Sequence, residues 1–511
     1  MNDKSRTDNS IRNVISGIGS QVFILIITFL SRTLFIKILG AEYLGINGLY
    51  SNILTLLSLA ELGIGNVMVF SLYKPIKDND KETISKYINF YKSVYRIIAI
   101  TILILGLSLV PFLDNIIESE LDKTDLIIYY ILFLLNTVFS YIATYKTTLI
   151  KADQKRYIES IAKTKFTIIQ NIVQLICIWI FKNYYIYLII QMSCTLFYNL
   201  YLQRKAQKMY PFIDKHVVLE KERKKETLKN VKDTFLYKLG EVLLNSTDNL
   251  LISVMLGTII VGYYSNYSMI ISAISLIITT MATAISASVG NLNTQEDSKQ
   301  NYKIFNVLVY LFNFITTVGM IGFFLVINDF IKVWIGDSYI LSTDVVLAIA
   351  ISFYISNSQS PIWMYREALG LFKEVKYTGL AAAIINLVLS IILGKIIGLA
   401  GILIATPISK LCTTSLFEPI IIFKKSFHMS TKKYFITQIK YFCIMILALS
   451  VSIFVCHFVQ FENILVRIIL KGIISVVISV TICIFLTRKT EEYKELKSRA
   501  MNKLKFIKVK G

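Results

Sequence analysis

A chain of 511 residues with 55% hydrophobic and only 17% charged side chains has too little polar surface to coat a water-soluble globule, which excludes a soluble enzyme or binding domain. Its net charge of +21 does not point to nucleic acid, because the Lys and Arg residues gather in connections rather than along one amphipathic face. Lipid is the solvent this composition fits, with the basic connections held on the cytoplasmic side.

About fourteen apolar segments follow one another, each near the ~20 residues that cross hydrocarbon. After Lys4, Arg6 and Arg12, span one covers about residues 14–38. It outlasts a signal-peptide core and lacks a small-residue cleavage pattern, so it is read as retained. Span two (44–72) leads to the basic connection with Lys74, Lys77, Lys81 and Lys86, and spans three (88–112) and four (125–149) flank an acidic one with Glu118, Glu120 and Asp122. Spans five (158–181) and six (184–203) end at the longest basic connection, which carries Arg204, Lys205, Lys221 and Arg223. Spans seven to twelve fall at about 234–256, 259–290, 303–327, 341–364, 376–397 and 400–423, and spans thirteen and fourteen at 434–457 and 463–486. Basic connections then alternate with short or acidic ones throughout, which predicts a multi-pass topology with both termini cytoplasmic.

The chain repeats itself. Leu39-Gly40, Gly45 and Tyr50-Ser51 recur at matching spacing as Leu256-Gly257, Gly262 and Tyr267-Ser268, in each case joining one apolar segment to the next. This predicts an all-α integral membrane fold of about 14 transmembrane helices: two pseudo-symmetric six-helix bundles plus two C-terminal helices. The expected divisions are an N-terminal bundle at 1–203, a basic linker at 204–233, a C-terminal bundle at 234–424, two additional spans at 425–487 and a basic tail at 488–511. Internal duplication in a polytopic protein is the mark of a transporter that rocks one half against the other.

Polar residues inside spans carry the functional expectation. A charge at the bilayer centre costs roughly 2.5 to 3.5 kcal/mol, so Arg32, Glu61, Glu241 and Asp248 are expected to face protein or water. At ~1.5 Å rise per residue, Arg32 and Asp248 both lie about 12 Å below their outer glycines, Gly40 and Gly257. Lys238, Glu241, Asn245 and Asp248 share one helical face, as do Gln21, Thr28 and Arg32, and Asn47, Ser51, Thr55, Ser58 and Glu61. With Ser265, Ser268, Ser272, Ser275, Thr279, Thr283 and Ser286 on span eight, a stripe that close helix packing would also explain, these stripes on spans one, two, seven and eight predict a shared hydrated cavity, with Asn52 among its polar residues. A structural ion pair between Arg32 and Asp248 is the alternative. Lys92, Arg96, Lys163, Lys165 and Lys440 sit near cytoplasmic ends, where snorkelling accounts for them. Arg467, Lys471 and Lys410 are left ambiguous. In span ten the polar run Ser356 to Ser360 precedes Pro361, which predicts a hinge or broken helix. The cysteines and histidines show no ligand spacing, so no metal or cofactor is expected.

Leu39 to Asn52, its partner from Thr247 to Gly257 with Gly262, and Arg366 to Phe372 with Ile385 to Ser390 resemble the Wzx-type polysaccharide flippases of the multidrug/oligosaccharidyl-lipid/polysaccharide exporter superfamily. The resemblance covers nearly the whole chain. It implies a MATE-like fold and a non-enzymatic role in polysaccharide biosynthesis: moving undecaprenyl-diphosphate-linked oligosaccharide units across the bacterial plasma membrane for capsule or cell-wall assembly, by alternating access. It also implies as partners the lipid-linked oligosaccharide, membrane lipids, protons or sodium, and a polysaccharide polymerase complex. On this reading Arg32, Gln21, Asn47, Asn52 and Asn245 contact substrate, while Glu61, Lys238, Glu241 and Asp248 couple an ion or gate the cavity. An ion-coupled drug or metabolite antiporter of the same superfamily is the alternative. A membrane glycan polymerase or ligase fits less well, because the outer connections are short.

Overall fold

The computed structural model describes residues 24, 26–61, 64–141, 144–153, 155–214, 217–293, 298–459 and 461–498, and every regular element among them is helical. Ten helices among the described residues are long and apolar enough to cross a membrane. The longest apolar stretch, Lys373–Phe427, turns back on itself at Gly398 and so holds two passes. Span one falls outside this set because its start lies outside the described residues. Span two does so because it is divided by a turn, and span seven because its apolar part, Val242–Leu256, is short. Side chains such as Trp179, 73% exposed, and Ile396, 70% exposed, would be an aggregation hazard in water and are at home against acyl chains. The protein is an all-α, multi-pass membrane protein.

The chain forms two compact units, Met1–Gly262 and Tyr263–Gly511. The first begins with α1 (residues 26–39), which stops at Gly40 because that residue takes a left-handed φ of 91°. Next come α2 (Ala41–Leu57), a tight turn at Ser58–Glu61, α3 (Ile64–Lys77) and α4 (Lys81–Leu109). Asp80 caps α4 by accepting from the Thr83 amide at 3.0 Å. A short α5 (Leu113–Ile116) precedes α6 (Lys123–Ser140), which Asp122 caps through the Thr124 amide at 2.7 Å. Following α7 (Thr144–Ala152), α8 (Arg156–Phe181) and α9 (Tyr184–Met209) form an antiparallel hairpin whose second helix is capped by Asn183. α10 (Lys221–Leu256) packs on α2 and α3 and ends at Gly257, whose φ of 93° repeats that of Gly40.

The unit's core is rich in tyrosine. Tyr129 and Tyr184 meet at 4.8 Å between ring centres, Tyr43 and Tyr184 at 5.0 Å, and Tyr50 and Tyr130 at 5.4 Å. Each buried phenol needs an acceptor. Tyr50, fully buried, donates to the Leu126 carbonyl at 2.8 Å, and Tyr130 to that of Gly106 at 3.0 Å.

The second unit holds most of α11 (Thr258–Asn293), then α12 (Ser298–Ile335), α13 (Thr343–Ser358), α14 (Ser360–Ala368), α15 (Phe372–Cys412), α16 (Thr414–Ile422), α17 (Lys432–His457) and α18 (Ile464–Thr487). α15 turns sharply at Ile397 and Gly398 into two antiparallel arms. The return is so tight that a Cβ on Gly401 would lie 2.1 Å from the Leu393 carbonyl oxygen. α18 lies along α12, where Arg467 and Lys471 hold the Asp329 carboxylate at 2.8 and 2.7 Å. Arg366 and Glu418 form a buried ion pair at 2.9 Å, and the Thr378 hydroxyl donates to the same carboxylate at 3.2 Å. Tyr267, the counterpart of Tyr50, donates to the Asn328 side chain at 2.6 Å and accepts from the Leu341 amide at 2.9 Å. In both units the repeated tyrosine therefore pins its helix to backbone at the start of the fourth span of its own repeat.

Candidate functional site

Arg32 lies partly buried on α1, within electrostatic reach of Tyr187 on α9. One turn further on, Phe35 packs edge-on against Tyr184 and Tyr187, with ring centres 5.9 and 5.1 Å apart. From α2, the Asn47 amide donates to the Tyr184 hydroxyl at 3.4 Å. Arg32 and Asn47 thus converge on one aromatic patch of α9, a platform that combines a cation, an amide and π-faces. Asn52 does not join them, because its amide turns back onto its own helix and donates to the Gly48 carbonyl at 3.0 Å. Glu61 closes the turn after α2, beside Tyr95 and Tyr141.

Asp248 lies partly buried on α10. Lys238, Glu241 and Asn245 belong to the same helix, but their side chains lie outside the described residues, as does Gln21 altogether. Within the second unit, the chain of span ten is broken at Gln359: α13 ends at Ser358 and α14 starts at Ser360, with Pro361 in its first turn. Ser358, Ser360 and Pro361 are all buried. The Lys410 ammonium donates to Ser356 at 2.8 Å, so a lysine that periodicity leaves ambiguous has a partner in the polar run before the break.

The first unit also contains a cavity of about 330 Å³ that the stripes on spans one, two, seven and eight do not predict. α6 and α7 contribute Ser140, Thr144, Thr147 and Lys151, α8 contributes Glu159, Lys163, Thr167 and Gln170, and α9 contributes Thr195, Tyr198 and Asn199. Each set recurs at steps of three and four, so the signal was present as three successive polar faces. What periodicity does not reveal is that these faces turn toward one another. Lys151 and Glu159 are paired across the cavity wall at 3.1 Å. Other charges that sequence reasoning passed over are Lys146, buried and donating to Gln207 at 3.3 Å, and Asp153, buried between Tyr210 at 2.7 Å and Lys155 at 2.6 Å.

Residues 10–286, more than half of the chain, match the family described as polysaccharide biosynthesis protein. The chain belongs to that family. Among solved structures, this family member is similar to the lipid II flippase MurJ in an inward closed conformation. The identity is 15% and the TM-score 0.67, with 93% of this chain and 99% of the other covered. It is similar at 15% identity and a TM-score of 0.59 to an inward-facing multidrug resistance MATE family transporter of the MOP superfamily, covering 78% and 94%. A mutant of the Vibrio cholerae MATE transporter VcmN gives 11% identity and a TM-score of 0.55, covering 84% and 100%. No curated protein sequence matches. At these identities the likeness establishes the fold alone.

Proposed function

We propose that this protein translocates undecaprenyl-diphosphate-linked oligosaccharide repeat units from the inner to the outer leaflet of a bacterial plasma membrane for capsule or cell-wall polysaccharide synthesis, by alternating access between two pseudo-symmetric six-helix bundles, with both termini cytoplasmic. The observation that carries this reading is the combination of family membership with an intramembrane cation and amide, Arg32 and Asn47, on one aromatic patch. A diphosphate and its sugars cannot enter hydrocarbon bare, since their polar groups would lose water without replacement. Arg32 supplies charge for the anionic linkage, aromatic faces and amides suit sugar rings, and the prenyl chain stays in lipid. In this reading Gln21, Asn52 and Asn245 add substrate contacts, and Glu61, Lys238, Glu241 and Asp248 bind a coupling cation or gate the path. Pro361 and the break at Gln359 serve as the hinge.

The test is genetic and biochemical. Deleting the gene should abolish surface polysaccharide and leave lipid-linked oligosaccharide in the inner leaflet, and Arg32→Ala and Asp248→Ala at unchanged expression should fail to restore it. Normal surface polysaccharide from both variants would overturn the assignment. Because MATE transporters share the fold, sensitivity of the deletion strain to cationic compounds with its polysaccharide intact would favour a drug antiporter instead.

A further inference from the structure

We infer that the cavity between α6, α7, α8 and α9 is a binding site for a small anionic carbohydrate, a sugar bearing a phosphate or carboxylate group. The inference rests on geometry inside the first unit, and deepens the flippase reading by adding a sugar-selective site to it. At about 330 Å³ the space would hold on the order of ten waters at ~30 Å³ each, which suits one or two sugar rings and is too small for a whole repeat unit with its lipid.

The lining is chemically particular. Ser140 and Thr147 each donate to a backbone carbonyl of their own helix, at 2.7 and 2.9 Å, and Thr144 donates to the Ser140 carbonyl at the end of α6 at 2.9 Å, so their oxygens remain as acceptors only. Glu159 spends one carboxylate oxygen on Lys151, while its other oxygen, Oε2, is buried with no hydrogen-bond partner among the described residues. A buried carboxylate oxygen left unfilled calls for a donor. A ligand with several O–H groups meets that demand along with the apolar face, whereas inorganic phosphate, with one or two O–H groups and no apolar surface, meets it only in part. The Lys151 charge is balanced by Glu159, whereas Lys163, exposed at the rim of the lining, has no ion-pair partner among the described residues and offers a positive charge to one anionic group. Phe166 stands edge-on to Tyr198, ring centres 5.7 Å apart, and gives an apolar face of the kind that packs on the C–H face of a pyranose.

The ligand chemistry has two sources, the glycan head of the lipid-linked substrate or a free sugar phosphate, and the experiment separates them. Full-length protein in nanodiscs is titrated calorimetrically with glucose 1-phosphate, glucose, inorganic phosphate, and a short-chain prenyl-diphosphate-linked sugar. The expected result is binding of glucose 1-phosphate at least about tenfold tighter than of glucose or phosphate, lost by about tenfold or more in Lys163→Gln and in Glu159→Gln. The prenyl-linked sugar competes with glucose 1-phosphate if the head group is the natural occupant, and binds without competing if the free sugar phosphate is. Thr195→Val, which removes one lining hydroxyl at constant shape, serves as a milder variant where the charge changes disturb folding, and Thr195→Ser should restore binding. Equal affinity for phosphate and glucose 1-phosphate, or unchanged binding in all three cavity variants with intact thermal unfolding, overturns the inference. Arg32→Ala separates the two readings, since it should abolish translocation while leaving glucose 1-phosphate binding intact.

Discussion

Gly45 and Gly262 face each other across a helix crossing within the first unit, and each presses on the start of the other's helix. A Cβ on Gly45 would lie 2.0 Å from the Thr258 carbonyl oxygen, and one on Gly262 would lie 2.2 Å from that of Ala41 and 3.3 Å from the Gly45 nitrogen. Ala41 and Thr258 follow the two left-handed glycines, Gly40 and Gly257, so the repeat visible in the sequence is a reciprocal backbone contact in the fold. Substituting Ala at 45 or 262 forces the two backbones apart and should cost about 3 kcal/mol or more. Gly48→Ala, where the nearest atom would be 3.6 Å away, should cost little. Thermal unfolding of the purified variants distinguishes the two outcomes.

The buried Arg366–Glu418 pair makes a second prediction. Glu418→Gln leaves a buried guanidinium without its counter-charge and should destabilise the second unit by about 3–5 kcal/mol, whereas a joint Arg366→Met and Glu418→Leu replacement should recover most of that loss. The measurement is the unfolding midpoint of each single variant against the double variant.

The repeated tyrosines differ in what their loss leaves behind. Tyr267→Phe strands the Leu341 amide in the interior as well as losing a bond to Asn328, for a cost of about 1–3 kcal/mol. Tyr50→Phe strands only a carbonyl, that of Leu126, which sits in a helix and has a second lone pair, so its cost should be about 1 kcal/mol. Equal destabilisation of the two variants would contradict this account.

Acid should loosen particular helix ends first. Hydrogen bonds from Thr83 and Thr124 hold the Asp80 and Asp122 carboxyls below the ordinary value of 3.8. A depressed folded pKa means that the capping contribution is present above the unfolded value and is lost as pH falls through the folded one. Amide protection at the starts of α4 and α6, corrected for intrinsic exchange, should therefore drop below about pH 4. In Asp80→Asn and Asp122→Asn, protection at those ends should not change over that range.

Much of this architecture was legible in the sequence. The duplicated glycines, the turn between spans eleven and twelve at Gly398 and the interruption just before Pro361 are all backbone features, and backbone features announce themselves through Gly, Pro and polar runs. Partners across the fold were not legible. Arg467 and Lys471 are ambiguous from periodicity because their carboxylate, Asp329, lies far away along the chain. The cavity stayed hidden for the same reason: a stripe says which face of a helix is polar, and says nothing of which other faces it meets. Lys163, read as snorkelling toward the lipid headgroups, lines that cavity.

The junction at Gly45 and Gly262 is made of carbonyl oxygens and missing side chains, and every amino acid carries a carbonyl. Such a joint asks nothing of chemistry at Ala41 beyond a peptide unit, so mutation can rewrite most of both helices without touching what fastens them. The crossing of α2 and α11 is therefore held by shape at two glycines rather than by any side-chain chemistry.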